Sequence, residues 1–231
     1  MTTTSKLFSM GLCVSILALG ACSSSSVTGT DNRQSQIDNA MARAGSNALR
    51  KGNTSQALSI LEKAYQKDNQ DPEIATKYAE ALRKSGQAEK AGYILESFAN
   101  AQNPSLETLI EYASVEIENG NNKIAEKFAR KAVERDSNAS EAHHLLAISL
   151  DGLERYEEAE ASYRTALDMW EGDPVPIMNN LALNLSYQKR IQDSVDILKK
   201  AKSIAPNRIE IERNLRIIST LNEDPKEFLG D

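Results

Sequence analysis

The same pattern of residues occurs twice, 34 positions apart, in YAEALRKSGQAEKAGYILESF (residues 78–98) and YASVEIENGNNKIAEKFARKA (residues 112–132). Both segments begin with Tyr-Ala, continue to a glycine and then reach an alanine at the same spacing. The last two features keep the same spacing outside these segments as well, which gives Gly52, Gly86 and Gly120 and Ala57, Ala91, Ala125 and Ala159. A period of this length predicts a stack of helix-turn-helix units.

Five frames of this period cover most of the chain. In each frame we expect helix A over about the first 14 positions and helix B from about position 18 to 31. A further helical segment, Ile209 to Leu221, predicts a sixth helix A without a partner, so that residues 209–231 form a capping helix and tail. The frames are 38–71, 72–105, 106–139, 140–174 and 175–208.

Position 15 of each frame is the predicted turn after helix A. Glycine there can take the left-handed backbone conformation that ends a helix. The fourth and fifth frames have Glu154 and Lys189 at this position, and Gly152 is expected to serve the turn of the fourth. Positions 8 and 20 are small in every frame, because small residues let two helices approach while larger neighbours fill the gaps.

This pattern resembles the tetratricopeptide repeat family over residues 38–208. The resemblance implies an all-α superhelical solenoid of about five repeats with a C-terminal capping helix. It also implies a scaffold that binds other proteins, because such arrays use their concave surface for binding.

The N-terminus is predicted to carry a secretory signal over residues 1–21, with an apolar region from Leu7 to Leu19 that is too short to span a bilayer. The end of this segment, LGAC at 19–22, resembles a bacterial lipoprotein signal, in which cleavage between Ala21 and Cys22 leaves Cys22 to carry the lipid. Residues 22–37 are Ser-rich and predict a disordered tether. By resemblance to bacterial lipoproteins, we expect the protein on the outer membrane, facing the periplasm.

Charge and composition exclude several classes of function. Removing the predicted signal with Lys6 changes the formal net charge from −6 to −7, and the chain has no long basic run. We therefore expect no nucleic-acid binding. The chain has no Gly-rich phosphate loop, HExxH motif or cysteine nucleophile, and we expect no small-molecule substrate. The only histidines, His143 and His144, are adjacent and point about 100° apart on a helix, so we expect no metal, cofactor or catalytic site. Glu116 and Glu118 are interpreted as parts of solvated helix faces.

The predicted partner groove follows from the tetratricopeptide resemblance, in which helix A positions 2, 5, 9, 12 and 13 line the concave surface. Its apolar members, rimmed by carboxylates, suggest a groove for an amphipathic helix or an extended segment. The alternative is that the curvature of the superhelix or a chain terminus buries them. The predicted groove residues are Glu107, Ile110, Ser114, Ile117, Glu118, Glu141, His144, Ile148, Asp151, Asn179, Leu183 and Tyr187.

A narrower resemblance rests on NNLALNLSYQ at 179–188 and on Asn214-Leu215. Together with the lipoprotein signal and the tether, these segments look like the C-terminal repeats of the TadD family, the assembly lipoproteins of the tight-adherence (Flp) pilus. This resemblance implies a non-enzymatic adaptor that aids assembly or localisation of the outer-membrane secretin. Three alternatives stay open: a type IVa pilus biogenesis lipoprotein, an adaptor for outer-membrane protein assembly, and a regulator or enzyme acting on the cell wall.

Overall fold

The computed structural model describes the backbone of residues 27–221 and the side chains of residue 37 and residues 40–221. The chain divides into two compact units, Met1–Ile37 and Asp38–Asp231. Within residues 27–221 all regular structure is helical. In chain order the helices are α1 (Val27–Arg50), α2 (Thr54–Lys67), α3 (Pro72–Lys84), α4 (Ala88–Ala99), α5 (Leu106–Glu118), α6 (Asn122–Arg135), α7 (Ser140–Asp151), α8 (Tyr156–Asp168), α9 (Val175–Tyr187), α10 (Ile191–Ile204) and α11 (Ile209–Thr220).

The helices follow the predicted repeats. Helices α3, α5, α7 and α9 begin at Pro72, Leu106, Ser140 and Val175, which are the first residues of the second to fifth frames. From α2 to α11 each helix packs on its neighbours in the chain, and α3 also contacts α5, α5 contacts α7, and α7 contacts α9. The odd-numbered helices are therefore the helices A, and successive members lie side by side. The predicted all-α repeat solenoid is confirmed.

The start of α1 differs from the sequence prediction. Residues 22–37 were expected to form a disordered tether, whereas α1 begins at Val27. Polar residues can extend an existing helix at low cost, because each added residue forms one further hydrogen bond and needs no new nucleus. The predicted signal at residues 1–21, the lipid attachment at Cys22 and the tail at residues 222–231 lie outside the described residues.

The small repeat positions are buried where two helices meet. Ala57, Ala91, Ala125 and Ala159 have no exposed surface. In the fifth repeat the position is Ser194, which is equally buried and donates a 2.6 Å hydrogen bond to the carbonyl oxygen of Ala182. Burial of its hydroxyl is thus compensated by a bond to the backbone.

The turn after helix A has the same geometry in all five repeats. The N–H of position 15 donates to the carbonyl of position 12, and the next N–H donates to the carbonyl of position 11, which closes a Schellman motif. This geometry requires a positive φ, which is 75–80° at Gly52, Gly86 and Gly120 and 60–65° at Glu154 and Lys189.

The expectation that Gly152 serves the fourth turn is wrong, because Glu154 takes the left-handed conformation while Gly152 has a φ of −65°. Gly152 instead allows a close approach between repeats. A Cβ atom added there would lie 2.2 Å from Nδ2 of Asn122, which donates a 3.1 Å hydrogen bond to the carbonyl oxygen of Gly152.

Candidate functional site

The predicted groove residues all lie on α5, α7 and α9, and they differ in exposure. Glu107, Glu118, Glu141 and Tyr187 are exposed, whereas Ser114 is buried. The remaining members are half-buried: Ile110, Ile117, His144, Ile148, Asp151, Asn179 and Leu183.

Polar contacts join successive helices A along this face. Nδ2 of Asn180 in α9 lies 3.2 Å from Nε2 of His144 in α7. One repeat further on, Nδ2 of Asn214 in α11 donates a 2.7 Å hydrogen bond to Oδ1 of Asn179 in α9. These contacts place α7, α9 and α11 side by side in one surface, which extends the predicted groove to the capping helix.

In the N-terminal part of this surface an ion pair joins α3 to α5. The Arg83 guanidinium in α3 donates two hydrogen bonds, of 2.6 and 3.0 Å, to the carboxylate of Glu111 in α5. Its third hydrogen bond, of 2.9 Å, goes to Glu118. Planar bidentate pairs of this kind are strong and directional. Glu118 therefore helps to hold two repeats together, in addition to being an exposed groove residue.

Asp151 is likewise a structural residue. Tyr163 donates a 2.7 Å hydrogen bond to Oδ2 of Asp151, and Asn184 donates a 2.6 Å hydrogen bond to Oδ1. Burial raises the pKa of the Asp151 carboxyl, although these two hydrogen bonds act in the opposite direction. Both carboxylate oxygens are therefore engaged within the protein.

His144 packs among aromatic side chains. Its ring centroid lies 6.0 Å from that of Tyr163 and 5.9 Å from that of Trp170. Burial lowers the pKa of His144 to about 4, so the ring is neutral at neutral pH. Across the described residues, no three His, Cys, Asp or Glu side chains are grouped as metal ligands.

The isoleucines of the predicted groove are less exposed, and so offer less surface to a partner, than the sequence suggested. Ile110, Ile117 and Ile148 pack against the main core, and Leu183 packs against a second apolar cluster that includes Val195 and Ile211. Part of each side chain is thus buried by the protein itself, as in the alternative considered for these positions.

The most exposed apolar side chains of this surface lie at its C-terminal end. Tyr187 is 62% exposed and stacks on Tyr156, with ring centroids 5.3 Å apart and planes inclined by 14°. Ile217 and Leu221 are 51% and 62% exposed. They lie 34 residues after Leu183 and Tyr187 and take the same repeat positions, 9 and 13. We call Leu183, Tyr187, Ile217 and Leu221 the apolar end of the groove.

The predicted groove residues come only from the third to fifth repeats, so Ile217 and Leu221 are not among them. The signal was present, since adding one period to Leu183 and Tyr187 identifies both residues. A capping helix that ends a solenoid still continues the face formed by the helices A before it.

These features define the chain as a helical repeat protein with the tetratricopeptide-type fold of protein–protein interaction scaffolds. The family model described as the tetratricopeptide repeat protein 21 C-terminal ARM domain matches residues 23–216. The chain belongs to this family. No curated protein matches the sequence.

Solved structures with the same fold are distant in sequence. A thermophilic TPR protein of Thermus thermophilus is 18% identical with a TM-score of 0.67, over 79% of this chain and 99% of its own. MamA from Desulfovibrio magneticus RS-1 is 17% identical with a TM-score of 0.60, over 74% and 97%. YrrB, described as a TPR protein with an unusual peptide-binding site, is 15% identical with a TM-score of 0.60, over 81% and 97%. The matched family and these structures share the helical repeat fold.

Within residues 27–221, none of the helices combines the length and the apolar character that crossing a bilayer requires.

Proposed function

We propose that the protein is a non-enzymatic adaptor that binds a segment of a protein partner at the apolar end of the groove. The observation that carries this proposal is the exposure of Tyr187 on α9, Ile217 on α11 and Leu221 at the C-cap of α11, at 62%, 51% and 62%. Large apolar side chains that share one surface and are rimmed by polar groups mark sites of protein binding.

The chemistry of the surface favours an amphipathic segment. Ile217 lies on α11 and Leu221, four residues later, is the C-cap of that helix; Leu183 and Tyr187 repeat the spacing on α9. A partner helix that presents apolar residues at three- and four-residue spacing would fit two such parallel pairs. YrrB, which shares this fold, is described as having a peptide-binding site, and this supports the binding of a peptide segment here.

We propose further that the adaptor is a lipoprotein, acylated at Cys22 and held on the periplasmic face of the outer membrane. The support is the LGAC segment and the serine run that follows it. A lipid anchor would concentrate the protein near any partner in the same membrane and so raise the effective concentration for binding.

The partner that the sequence favours is a component of the tight-adherence (Flp) pilus, with the outer-membrane secretin as the first candidate. The support is the TadD-like pattern at residues 179–188 and at Asn214-Leu215. In this proposal the adaptor aids assembly or localisation of the secretin.

Site-specific crosslinking in cells tests the proposal. A photoreactive amino acid replaces Tyr187 or Ile217, and crosslinked partners are purified through a C-terminal tag and identified by mass spectrometry. The matched control is Ile204 at the end of α10, which is 49% exposed but lies on a helix B. We expect a secretin or another pilus protein to crosslink at positions 187 and 217 and not at 204.

Crosslinks of equal yield at all three positions would contradict binding at the apolar end of the groove. Recovery of outer-membrane barrel-insertion proteins or cell-wall hydrolases would contradict the pilus assignment while leaving the adaptor role in place.

A further inference from the structure

We call the boundary between two successive repeats a seam. At two seams an equivalent glutamate–arginine ion pair joins the repeats. A glutamate at position 21, on helix B, faces an arginine at position 16 of the next repeat. Glu126 accepts a 2.6 Å hydrogen bond from Arg155, and Glu160 accepts a 2.6 Å hydrogen bond from Arg190. Both glutamates are half-buried. In each case a guanidinium lies in the space between one helix B and the turn of the following repeat.

The seam between the second and third repeats lacks both partners. Position 21 is Gly92 and position 16 is Asn121. A carboxylate is nevertheless present there, because position 11 of the third repeat is Glu116. The other repeats have a buried alanine or leucine at position 11, namely Ala48, Leu82, Leu150 and Leu185.

Glu116 is held as a buried carboxylate, so its interpretation as part of a solvated helix face is wrong. The residue is only 4% exposed, and Oε2 of its side chain accepts a 2.7 Å hydrogen bond from Nδ2 of Asn121. A Cβ atom added to Gly92 would lie 3.1 Å from Oε1 of Glu116. Because Gly92 has no side chain, there is room for this carboxylate and for the cleft beside it.

The open seam forms a cleft of about 900 Å³ between α4, the end of α5 and the start of α6. Tyr93 and Ile124, which are 84% and 40% exposed, supply apolar surface at the cleft. Tyr112 also lines the cleft, and burial, followed by the nearby carboxylates of Glu116 and Glu96, raises the pKa of its hydroxyl to about 12.

Acidic side chains outnumber basic ones in the lining. The carboxylates are Glu89, Glu96, Glu116 and Glu118, and the cation is Lys90. Lys90 lies 3.9 Å from Glu62 and Glu118 lies 2.9 Å from Arg83. The charge of the cleft therefore complements a cationic ligand that brings some apolar surface.

We propose that this cleft binds an arginine side chain of a protein partner, whose guanidinium contacts Glu116 as Arg155 contacts Glu126 and Arg190 contacts Glu160. A guanidinium can donate to Oε1 of Glu116 while Oε2 accepts from Asn121. Its plane also stacks on aromatic rings, which an ammonium does less well. The exposed ring of Tyr93 offers such a stacking surface for the guanidinium.

The cleft lies between helix B of the second repeat and the end of helix A and the turn of the third, whereas the apolar end of the groove is formed by residues of α9 and of the C-terminal end of the chain's last described helix, α11. The proposal therefore goes beyond the adaptor function proposed above, and either one can fail without the other.

The test uses the full chain labelled with ¹⁵N and titrated with N-acetyl-arginine methylamide. Backbone amide shifts report the place of binding. We expect saturable shifts at Gly92, Asn119 and Asn121, and no shifts with the citrulline analogue, which has nearly the same shape and no charge. The lysine analogue is expected to bind at least fivefold more weakly. Equal binding of the three probes, or shifts centred on Tyr187 and Ile217, would overturn the proposal.

Two variants sharpen the result. Glu116→Gln keeps the shape of the side chain and is expected to weaken binding of the arginine probe at least tenfold, whereas Glu141→Gln on α7 is expected to leave it unchanged. The double variant Gly92→Glu with Asn121→Arg rebuilds the ion pair of the later seams and is expected to abolish binding in a folded protein. Unchanged binding in Glu116→Gln, or in the folded double variant, would show that the probe occupies another place.

Discussion

Asn184 in α9 has no exposed surface, and its side-chain amide donates a 2.6 Å hydrogen bond to the carboxylate of Asp151 in α7. The same amide donates a 2.9 Å hydrogen bond to the carbonyl oxygen of Tyr156. One side chain therefore joins both helices of the fourth repeat to the fifth. Loss of this amide would leave a partly buried carboxylate oxygen without its donor, which is more costly than loss of an exposed hydrogen bond.

We therefore expect Asn184→Ala to lower the free energy of unfolding by about 2 kcal/mol. Urea denaturation followed by circular dichroism measures this change. Asn207→Ala, in the exposed turn before α11, is the control and should stay within about 0.5 kcal/mol of wild type. Equal losses in the two variants would show that the hydrogen bonds of Asn184 do not stabilise the junction.

A second prediction concerns the pH dependence of stability through His144. The pKa of its ring is about 4 in the folded protein, below the ordinary value of 6.5, because the ring is buried near Tyr163 and Trp170. Protons therefore bind more readily to the unfolded chain. The stabilising contribution is complete above pH 6.5 and is lost as the pH falls toward 4, with a slope of up to about 1.4 kcal/mol per pH unit.

Between pH 7 and pH 4.5 we expect the wild-type protein to lose about 2 kcal/mol more stability than His144→Gln. Urea midpoints at a series of pH values measure the difference. His143→Gln is the matched comparison, because it replaces the neighbouring ring, which lies near the surface against the carbonyl oxygen of Ser137. Parallel stability curves for wild type and His144→Gln would refute this role of His144.

The period of 34 residues predicts the helix starts because the constraints on the repeat are local and steric. Pro72 follows a capping aspartate, and Ala91 is small where two helices touch, so both residues mark their positions in any repeat. Periodicity also gives the face of a helix on which a residue lies. It does not identify the partner of a polar side chain, which is why Asp151 was assigned to the groove although Tyr163 and Asn184 engage both of its oxygens.

For Glu116 the sequence pattern also failed to predict the environment of a polar side chain, in this case a buried one. Its charge suggested a solvated face, but its repeat position is one at which Leu82 and Leu150 are buried. Comparison of repeat positions would have identified it as an exception. Whether Gly92 leaves room for the carboxylate depends on coordinates, because that contact joins two different repeats.

The third prediction concerns the two non-glycine residues with positive φ. Glu154 and Lys189 have φ values of 60° and 65° in turns that close with the same backbone hydrogen bonds as the turns at Gly52, Gly86 and Gly120. A non-glycine residue in this conformation costs roughly 1 kcal/mol of folding free energy. Glycine avoids this cost, but it loses more backbone entropy on folding, so only part of the energy is gained. We expect Lys189→Gly to raise the free energy of unfolding by about 0.5 kcal/mol.

The reverse substitution, Gly86→Ala, provides a matched comparison. A Cβ atom at Gly86 would meet nothing within 4 Å, so any change in stability reports the backbone conformation alone. We expect a loss of about 1 kcal/mol in urea denaturation. Stabilisation by Gly86→Ala, together with destabilisation by Lys189→Gly, would show that the left-handed turn does not limit stability here.

The last prediction separates folding from partner binding along the groove. Ile117 packs against the main core, whereas Ile217 is 51% exposed. An aspartate at position 117 would place a charge beside packed apolar side chains, so we expect Ile117→Asp to lose more than about 2 kcal/mol of unfolding free energy. Ile217→Asp should lose less than about 1 kcal/mol, because its side chain already contacts water. Thermal unfolding by circular dichroism measures both changes.

If the apolar end of the groove binds the partner, Ile217→Asp should nevertheless abolish crosslinking through position 187, because a charge then lies within the apolar contact. Normal crosslinking by a folded Ile217→Asp protein would show that α11 takes no part in binding, whereas loss of crosslinking in Ile117→Asp alone would reflect loss of the fold.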